Sequence, residues 1–130
     1  MKERLVVVGN GMAGIRAVEE LLARAPGRTG ITVFGAEPHP NYNRIMLSPV
    51  LAGEKTFDQI ILNGHDWYEA NGITLFTGDA VTAIDPAARI VTSASGRTVA
   101  YDKLLLAVGS TPVVLPVPGA DLPGVIGFRD

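Results

Sequence analysis

Three glycines near the start of the chain, Gly9, Gly11 and Gly14 in VVVGNGMAGIRAVEE, have the spacing G-x-G-x-x-G, and a carboxylate, Glu37, follows them. Together they suit the capture of a dinucleotide. Glycines let backbone approach a pyrophosphate, a helix start offers it N–H groups, and a later acid accepts hydrogen bonds from a ribose. The chain holds 15 glycines, so the spacing alone says little. What decides is whether the elements around these residues are a strand, a helix and a second strand.

Leu5 to Val8 is a continuous apolar run rich in β-branched residues, the pattern of a strand buried on both faces of a parallel sheet. Ala13 to Ala25 follows helical spacing, with Ala17, Val18, Leu21, Leu22 and Ala25 on the apolar positions, and Pro26-Gly27 stops it. Ile31 to Phe34 reads as the second strand. Each glycine then has its own role. Gly9 makes the tight turn, Gly11 admits the pyrophosphate, and Gly14 lets helix and strand pack closely. Glu37 stands just past the second strand, where it accepts from a ribose and repels a 2′-phosphate, which disfavours NADP. The alternative is a glycine turn that binds nothing. The residues themselves leave FAD and NAD open.

Residues 37 to 53 carry Pro38, Pro40 and Pro49, which predicts a loop leading into a short helical piece. Residues 65 to 73 read as a short helix ending at Asn71-Gly72, and ITLFTG after it as a strand. AVTAIDPAARIVTSASGRTVAYDKLLLAVGS reads as three antiparallel strands joined at Asp85-Pro86 and Ser95-Gly96, with LLLAV a buried-type strand returning to the parallel sheet. The fold class is therefore α/β: a Rossmann-like parallel sheet with flanking helices and a three-stranded antiparallel β segment.

At 130 residues with 47% hydrophobic residues, the chain fits one domain with its own core. A net charge of -2 with no basic stripe speaks against nucleic acid. No apolar stretch resembles a signal peptide, and the charge-free span from Leu104 to Ala120 is broken by Pro112, Pro116 and Pro118, so no membrane partner is expected and the expected location is cytoplasmic. Without cysteine, the chain itself forms no disulfide, thiolate zinc site or iron-sulfur ligand set, so electrons passing through it need a bound organic cofactor.

In this order the motifs resemble the two-dinucleotide flavoprotein reductases of the pyridine nucleotide-disulfide oxidoreductase superfamily. The resemblance rests on GNGMAG, Glu37, GDAVTAID, and YDKLLLAVGSTP, which is similar to that superfamily's Y-D-x-L-h-h-A-T-G-x-x-P signature. Within it, AEPHPNYNRIMLSPVLAGE and FDQIILNGHDWYEANGI are similar to the start of the large subunits of assimilatory NAD(P)H-dependent nitrite reductases. Ferredoxin and rubredoxin reductases have a similar stretch with Lys where this chain has Pro49. The resemblance implies that residues 1–130 are an FAD-binding domain, a fragment of a longer flavoprotein. NAD(P)H, siroheme and iron-sulfur clusters would belong to downstream domains of the same polypeptide. Implied too is hydride transfer from NAD(P)H to FAD, then electrons onward to nitrite, with ammonium as product. The other readings are a ferredoxin or rubredoxin reductase domain and a module that senses NAD or an adenine nucleotide without chemistry.

By the same resemblance Gly9, Gly11, Met12, Ala13 and Gly14 hold the FAD pyrophosphate and Glu37 the adenosine ribose. Arg44 takes a phosphate or the flavin edge, with Ser48 nearby. Ala80 and Val81 serve the adenine, and Ala107, Val108 and Gly109 pass close to the cofactor. Val108 replaces the usual threonine. No residue is assigned a catalytic acid or base role, and no metal site is expected. Arg44 as a solvated loop cation is the plainer reading. His39 and His65 read as surface residues, Trp67 and Tyr68 as packing for the short helix, Asp66 as an early-helix charge, and Asp85 as a turn residue. Tyr42 either stacks near the flavin or covers it. A fragment without its downstream parts is expected to hold FAD weakly or to self-associate through exposed apolar surface.

Overall fold

The computed structural model of the chain describes residues 1–129. In chain order the elements are β1 (Glu3–Val8), α1 (Met12–Arg24), β2 (Thr29–Phe34), α2 (Leu47–Leu51), α3 (His65–Ala70), β3 (Thr74–Phe76), β4 (Val81–Asp85), β5 (Ile90–Ser93), β6 (Thr98–Ala100) and β7 (Lys103–Leu106). Single 3-10 turns at Arg44–Met46 and Phe57–Ile60 flank α2. Four strands form a parallel sheet in the order β3-β2-β1-β7, and three form an antiparallel sheet in the order β4-β5-β6. Leu5 pairs with Ile31 and Val7 with Val33 across β1 and β2, while on the other side Leu5 pairs with Lys103 and Val7 with Leu105.

The two-residue period of β1 divides the core. Val7 joins Ile15, Val18, Ile31, Val33, Tyr68 and Ile73 on the face covered by α1 and α3, and Val6 and Val8 join Phe34, Val91 and Tyr101 on the face covered by the antiparallel sheet. A sheet covered on both sides needs the continuous apolar run seen in β1. On α1 the buried positions are Gly14, Ile15 and Val18, while Ala17 is exposed, which corrects the stripe expected from sequence. Ala17 lies two residues beyond Ile15, about 200° around the helix, and so faces away from the sheet. LLLAV returns to the parallel sheet beside β1, as expected, but is not fully buried: the strand ends at Leu106, which is 57% exposed, because β7 is the sheet's edge and among the described residues pairs only with β1.

Two carboxylates tie the sheets together. Asp79 is buried, and its carboxylate accepts from the Ser93 hydroxyl (2.8 Å) and from the Ser95 N–H (3.0 Å) and hydroxyl (2.7 Å), with Arg97 Nε at 3.3 Å. Burial raises its pKa, but the hydrogen bonds from Ser95 and Ser93 and the charge of Arg97 outweigh that and hold it below the usual range. Asp102 clamps the start of β1: Arg4 donates from Nε to Oδ2 (3.1 Å), from Nη2 to Oδ1 (2.9 Å) and from its backbone N–H to Oδ2 (2.8 Å). These bonds lower the Asp102 carboxyl to about 2. A depressed carboxyl contributes stability above its unfolded pKa of about 4, and that contribution is lost as pH falls toward 2. Asp102→Asn should therefore flatten the fall of melting temperature between pH 4 and pH 2. Identical acid limbs in both proteins would show that the clamp contributes nothing.

Among the described residues no helix is long and apolar enough to cross a membrane, and no group of three or more His, Asp or Glu is placed to hold a metal ion.

Candidate dinucleotide site

A pocket of about 340 Å³ opens beyond the carboxyl ends of β1, β2 and β7. That is where the sheet's chain order reverses: β2 and β3 follow β1 on one side and β7 returns on the other. Open α/β sheets bind ligands in such a crevice. The volume lies within the range of about 300–1,000 Å³ common for ligand pockets.

The sheet's hydrogen bonds continue into the pocket floor. Gly9 N–H donates to the Phe34 carbonyl (2.8 Å), Gly35 N–H to that of Phe76 (2.8 Å), and Ala107 N–H to that of Val8 (2.9 Å). Gly9 has φ +110°, and a Cβ on it would lie 2.1 Å from the Ala107 carbonyl oxygen. Gly14 sits beneath, where a Cβ would come within 3.1 Å of both Ala107 Cβ and the Gly9 carbonyl oxygen, so α1 packs closely on the sheet.

Gly11 differs from both. It is the N-cap of α1 with extended backbone, and a Cβ on it would meet no atom of the described residues within 4 Å. Among the described residues no side chain caps α1, and its first turn carries no acidic residue. The first N–H groups of a helix have no intrahelical acceptor, so an uncapped start presents donors and the positive end of the dipole. Gly11, Met12 and Ala13 line the pocket at that point. A gap where a Cβ would stand, next to unused donors, fits a diphosphate.

Opposite lies Glu37. Its carboxylate accepts from the Tyr42 hydroxyl (2.6 Å) and from Arg44 Nη2 in an ion pair. A carboxylate offers about four lone-pair sites, so acceptor capacity remains for ribose hydroxyls. Arg44, with its side chain 24% exposed, also donates from Nη1 to the Arg129 carbonyl (2.6 Å) and lies 5.1 Å from the centre of the Tyr42 ring. It is thus a paired wall residue rather than a solvated cation. Tyr42 packs against Phe57 and His39, with ring centres 5.0 Å and 6.3 Å away.

Of the residues singled out from sequence, Gly9, Gly11, Met12, Ala13, Glu37, Arg44, Ala107, Val108 and Gly109 all line this pocket. Ser48 is exposed on α2 and does not. Ala80 and Val81 also lie off its lining: the Ala80 carbonyl accepts from Ala94 N–H (2.8 Å), and Val81 starts β4 and packs on the second core cluster. They stay tethered to it, since Gly78 N–H donates to the Glu37 carbonyl and Asp79 N–H to that of Gly35, both at 2.9 Å. Sequence reasoning missed Asn10, Pro40 and Arg129. It also placed His39 on the surface, whereas the structure sets it half-buried in the pocket wall against Phe57, 4.6 Å between ring centres. His65 is exposed, and Tyr68 is a core residue.

The chain matches the family model of the pyridine nucleotide-disulphide oxidoreductases over residues 3–130. An assimilatory nitrate reductase electron transfer subunit of Bacillus subtilis is 56% identical across 98% of this chain, which covers 17% of that protein. The NAD(P)H nitrite reductase of the same organism is 54% identical across 99% of the chain, which covers 16% of it. The chain thus spans about a sixth of the length of these relatives. Among solved structures, the NADH:rubredoxin oxidoreductase of Clostridium acetobutylicum superposes with a TM-score of 0.79 at 34% identity, over 91% of this chain and 30% of that one. A ferredoxin reductase from Rhodopseudomonas palustris gives 0.89 at 27% identity, over 99% and 32%. With the family matched along almost its whole length, this chain belongs to the pyridine nucleotide-disulphide oxidoreductases, and FAD is the dinucleotide that this family's domain binds.

Proposed function

We propose that this chain is the FAD-binding part of an oxidoreductase that takes electrons from NAD(P)H and, in the whole polypeptide, directs them to the reduction of nitrite to ammonium. The observation that carries the cofactor reading is the uncapped start of α1 beside the gap at Gly11, facing Glu37 across the pocket. The nitrite reading rests on the identity above 50% with the two Bacillus subtilis proteins. When bound, FAD supplies an acceptor for a hydride and an outlet for its electrons. The chain's own residues bind and orient: the start of α1 holds the diphosphate, Glu37 accepts from a ribose, and Arg44 fixes Glu37 and offers charge to a phosphate. Ser48, Ala80 and Val81 join the proposal as contacts beyond this pocket. The NAD(P)H, siroheme and iron-sulfur sites belong to further parts of the polypeptide, and the proposed location is the cytoplasm.

A second reading, a ferredoxin or rubredoxin reductase domain, is supported by the 35% identity with the NADH-rubredoxin oxidoreductase of Clostridium acetobutylicum over 91% of this chain. Assaying the full-length polypeptide with NAD(P)H and either nitrite or rubredoxin separates the two. The apolar side chains exposed between Val113 and Phe128 support burial against other parts of the polypeptide, or self-association when this chain stands alone.

The cofactor test is an FAD titration followed by flavin fluorescence and by absorption after gel filtration. Glu37→Ala removes the ribose acceptor and leaves Arg44 without its carboxylate. Charge-assisted hydrogen bonds contribute about 1.5–3 kcal/mol, so FAD should bind about 10- to 150-fold more weakly. Unchanged affinity would remove Glu37 from the site. A response to NAD with none to FAD would favour a sensing module.

A further inference from the structure

Asn10, between the first two glycines, is half-buried, and its side chain joins three segments. Its Nδ2 donates to the His39 carbonyl (3.2 Å), and its Oδ1 accepts from the Tyr68 hydroxyl (2.6 Å), 58 residues on. Gly35 makes room for it, since a Cβ there would meet Asn10 Cβ at 2.9 Å. Tyr68, 1% exposed, also accepts from the Asn41 N–H (3.2 Å). Asn41 Nδ2 then donates to Asn63 Oδ1 (2.9 Å), and Asn63 Nδ2 to Glu19 Oε1 on α1 (3.1 Å).

The direction of each bond is fixed. The His39 carbonyl can only accept, so Asn10 must turn its NH₂ toward it and its oxygen toward Tyr68. Glu19, as a carboxylate, orients Asn63 and through it Asn41. Burial pushes the Tyr68 hydroxyl up, against the opposing hydrogen bonds with Asn41 and Asn10, so it remains a neutral donor. Among the described residues Asn41 Oδ1 is buried without a hydrogen bond, a cost that an apolar residue there would avoid. An internal polar chain therefore runs from α1 through α3 to the turn whose N–H groups face the diphosphate.

Resting on the FAD reading above, we infer that Tyr68 is a positioning residue: through Asn10 its hydroxyl holds the glycine turn and the His39 wall at the spacing that receives the dinucleotide. It touches no ligand itself. Tyr68 is separated from the pocket by Asn10, which does line it.

The test is a double-mutant cycle on FAD affinity with Tyr68→Phe, Asn10→Ala and the pair, measured well below each variant's melting temperature. Each single change should weaken FAD binding about three- to tenfold, and the double variant should be no weaker than the worse single, because both break one linkage. In the ligand-free protein, Tyr68→Phe should also shift the amide NMR signals of Gly9 to Ala13 and speed their hydrogen exchange. If Tyr68→Phe does not fold, Asn10→Ala with Tyr68 intact gives the same readouts at the Asn41 and His39 amides. A lower melting temperature with unchanged FAD affinity and unmoved Gly9 to Ala13 amides would overturn the inference, as would independent, multiplicative effects on affinity. A Gly11→Val control that still binds FAD normally would defeat the FAD reading instead, leaving the ligand-free amides to judge Tyr68.

Discussion

Gly11→Val should leave the protein folded and weaken FAD binding by at least about a hundredfold. The backbone at Gly11, with φ -90° and ψ -178°, is open to a β-branched residue, and no atom of the described residues stands within 4 Å of an added Cβ. Stability should therefore fall by no more than about 1 kcal/mol, the scale on which Val is poorer than Gly at a helix N-cap. The added methyl groups occupy the approach to the start of α1, so phosphate oxygens lose the Met12 and Ala13 N–H groups. Charge-assisted hydrogen bonds contribute about 1.5–3 kcal/mol each, so losing two costs about 3–6 kcal/mol, or at least about two powers of ten. Paired measurements of melting temperature and FAD affinity decide it. A variant that melts normally and binds FAD as well as its parent would falsify the assignment of this pocket to the diphosphate.

What could be read from the sequence was whatever the chain expresses locally. The β1-α1-β2 unit was legible because a run of β-branched residues, a helical stripe and a second apolar run lie within about thirty residues, each with its own period. Residues 37 to 53 were legible only as a proline-bearing loop leading into a short helical piece, and the turn at Phe57–Ile60 was not legible at all, since one turn carries too few positions to show a period. LLLAV was legible as a strand of the parallel sheet, but its exposure was not, because its composition suits burial while its exposure depends on which strands neighbour it.

The site divides along the same line. The roles proposed for Gly9, Gly11 and Gly14 were read from their places in a strand-to-helix turn, and the structure puts Gly9 and Gly14 in close contact with neighbouring chain and leaves space at Gly11. The pairing of Glu37 with Tyr42 and Arg44 was hidden although they lie 5 and 7 residues away, because the loop has no regular period to say which side chains meet. The bond from Arg44 to the Arg129 carbonyl joins residues 85 apart, and no local spacing encodes it. Ser48, Ala80 and Val81 came from resemblance alone. The structure turns Ser48 outward on α2 and leads the chain at Ala80 into the antiparallel sheet.

Gly9→Ala should have the opposite profile to Gly11→Val, though both glycines belong to one motif. Gly9 holds φ +110°, where L side chains carry strain of about 1–3 kcal/mol, and the new Cβ would lie 2.1 Å from the Ala107 carbonyl oxygen. That oxygen is backbone and cannot rotate aside. Ala107 is tied by its own N–H to the Val8 carbonyl, so relief requires β7 to separate from β1 at the pocket end. Adding overpacking of about 1–3 kcal/mol gives a destabilisation of about 2–6 kcal/mol, and roughly 8–25 °C in melting temperature for a domain of this size. FAD affinity should fall as well, but in step with the loss of folded protein, and saturating FAD should recover part of the melting temperature. A Gly9→Ala protein as stable as its parent would mean that β1 and β7 do not approach each other as closely as the positive φ at Gly9 implies. The glycine turn would then owe its shape to the ligand rather than to the sheet beneath it.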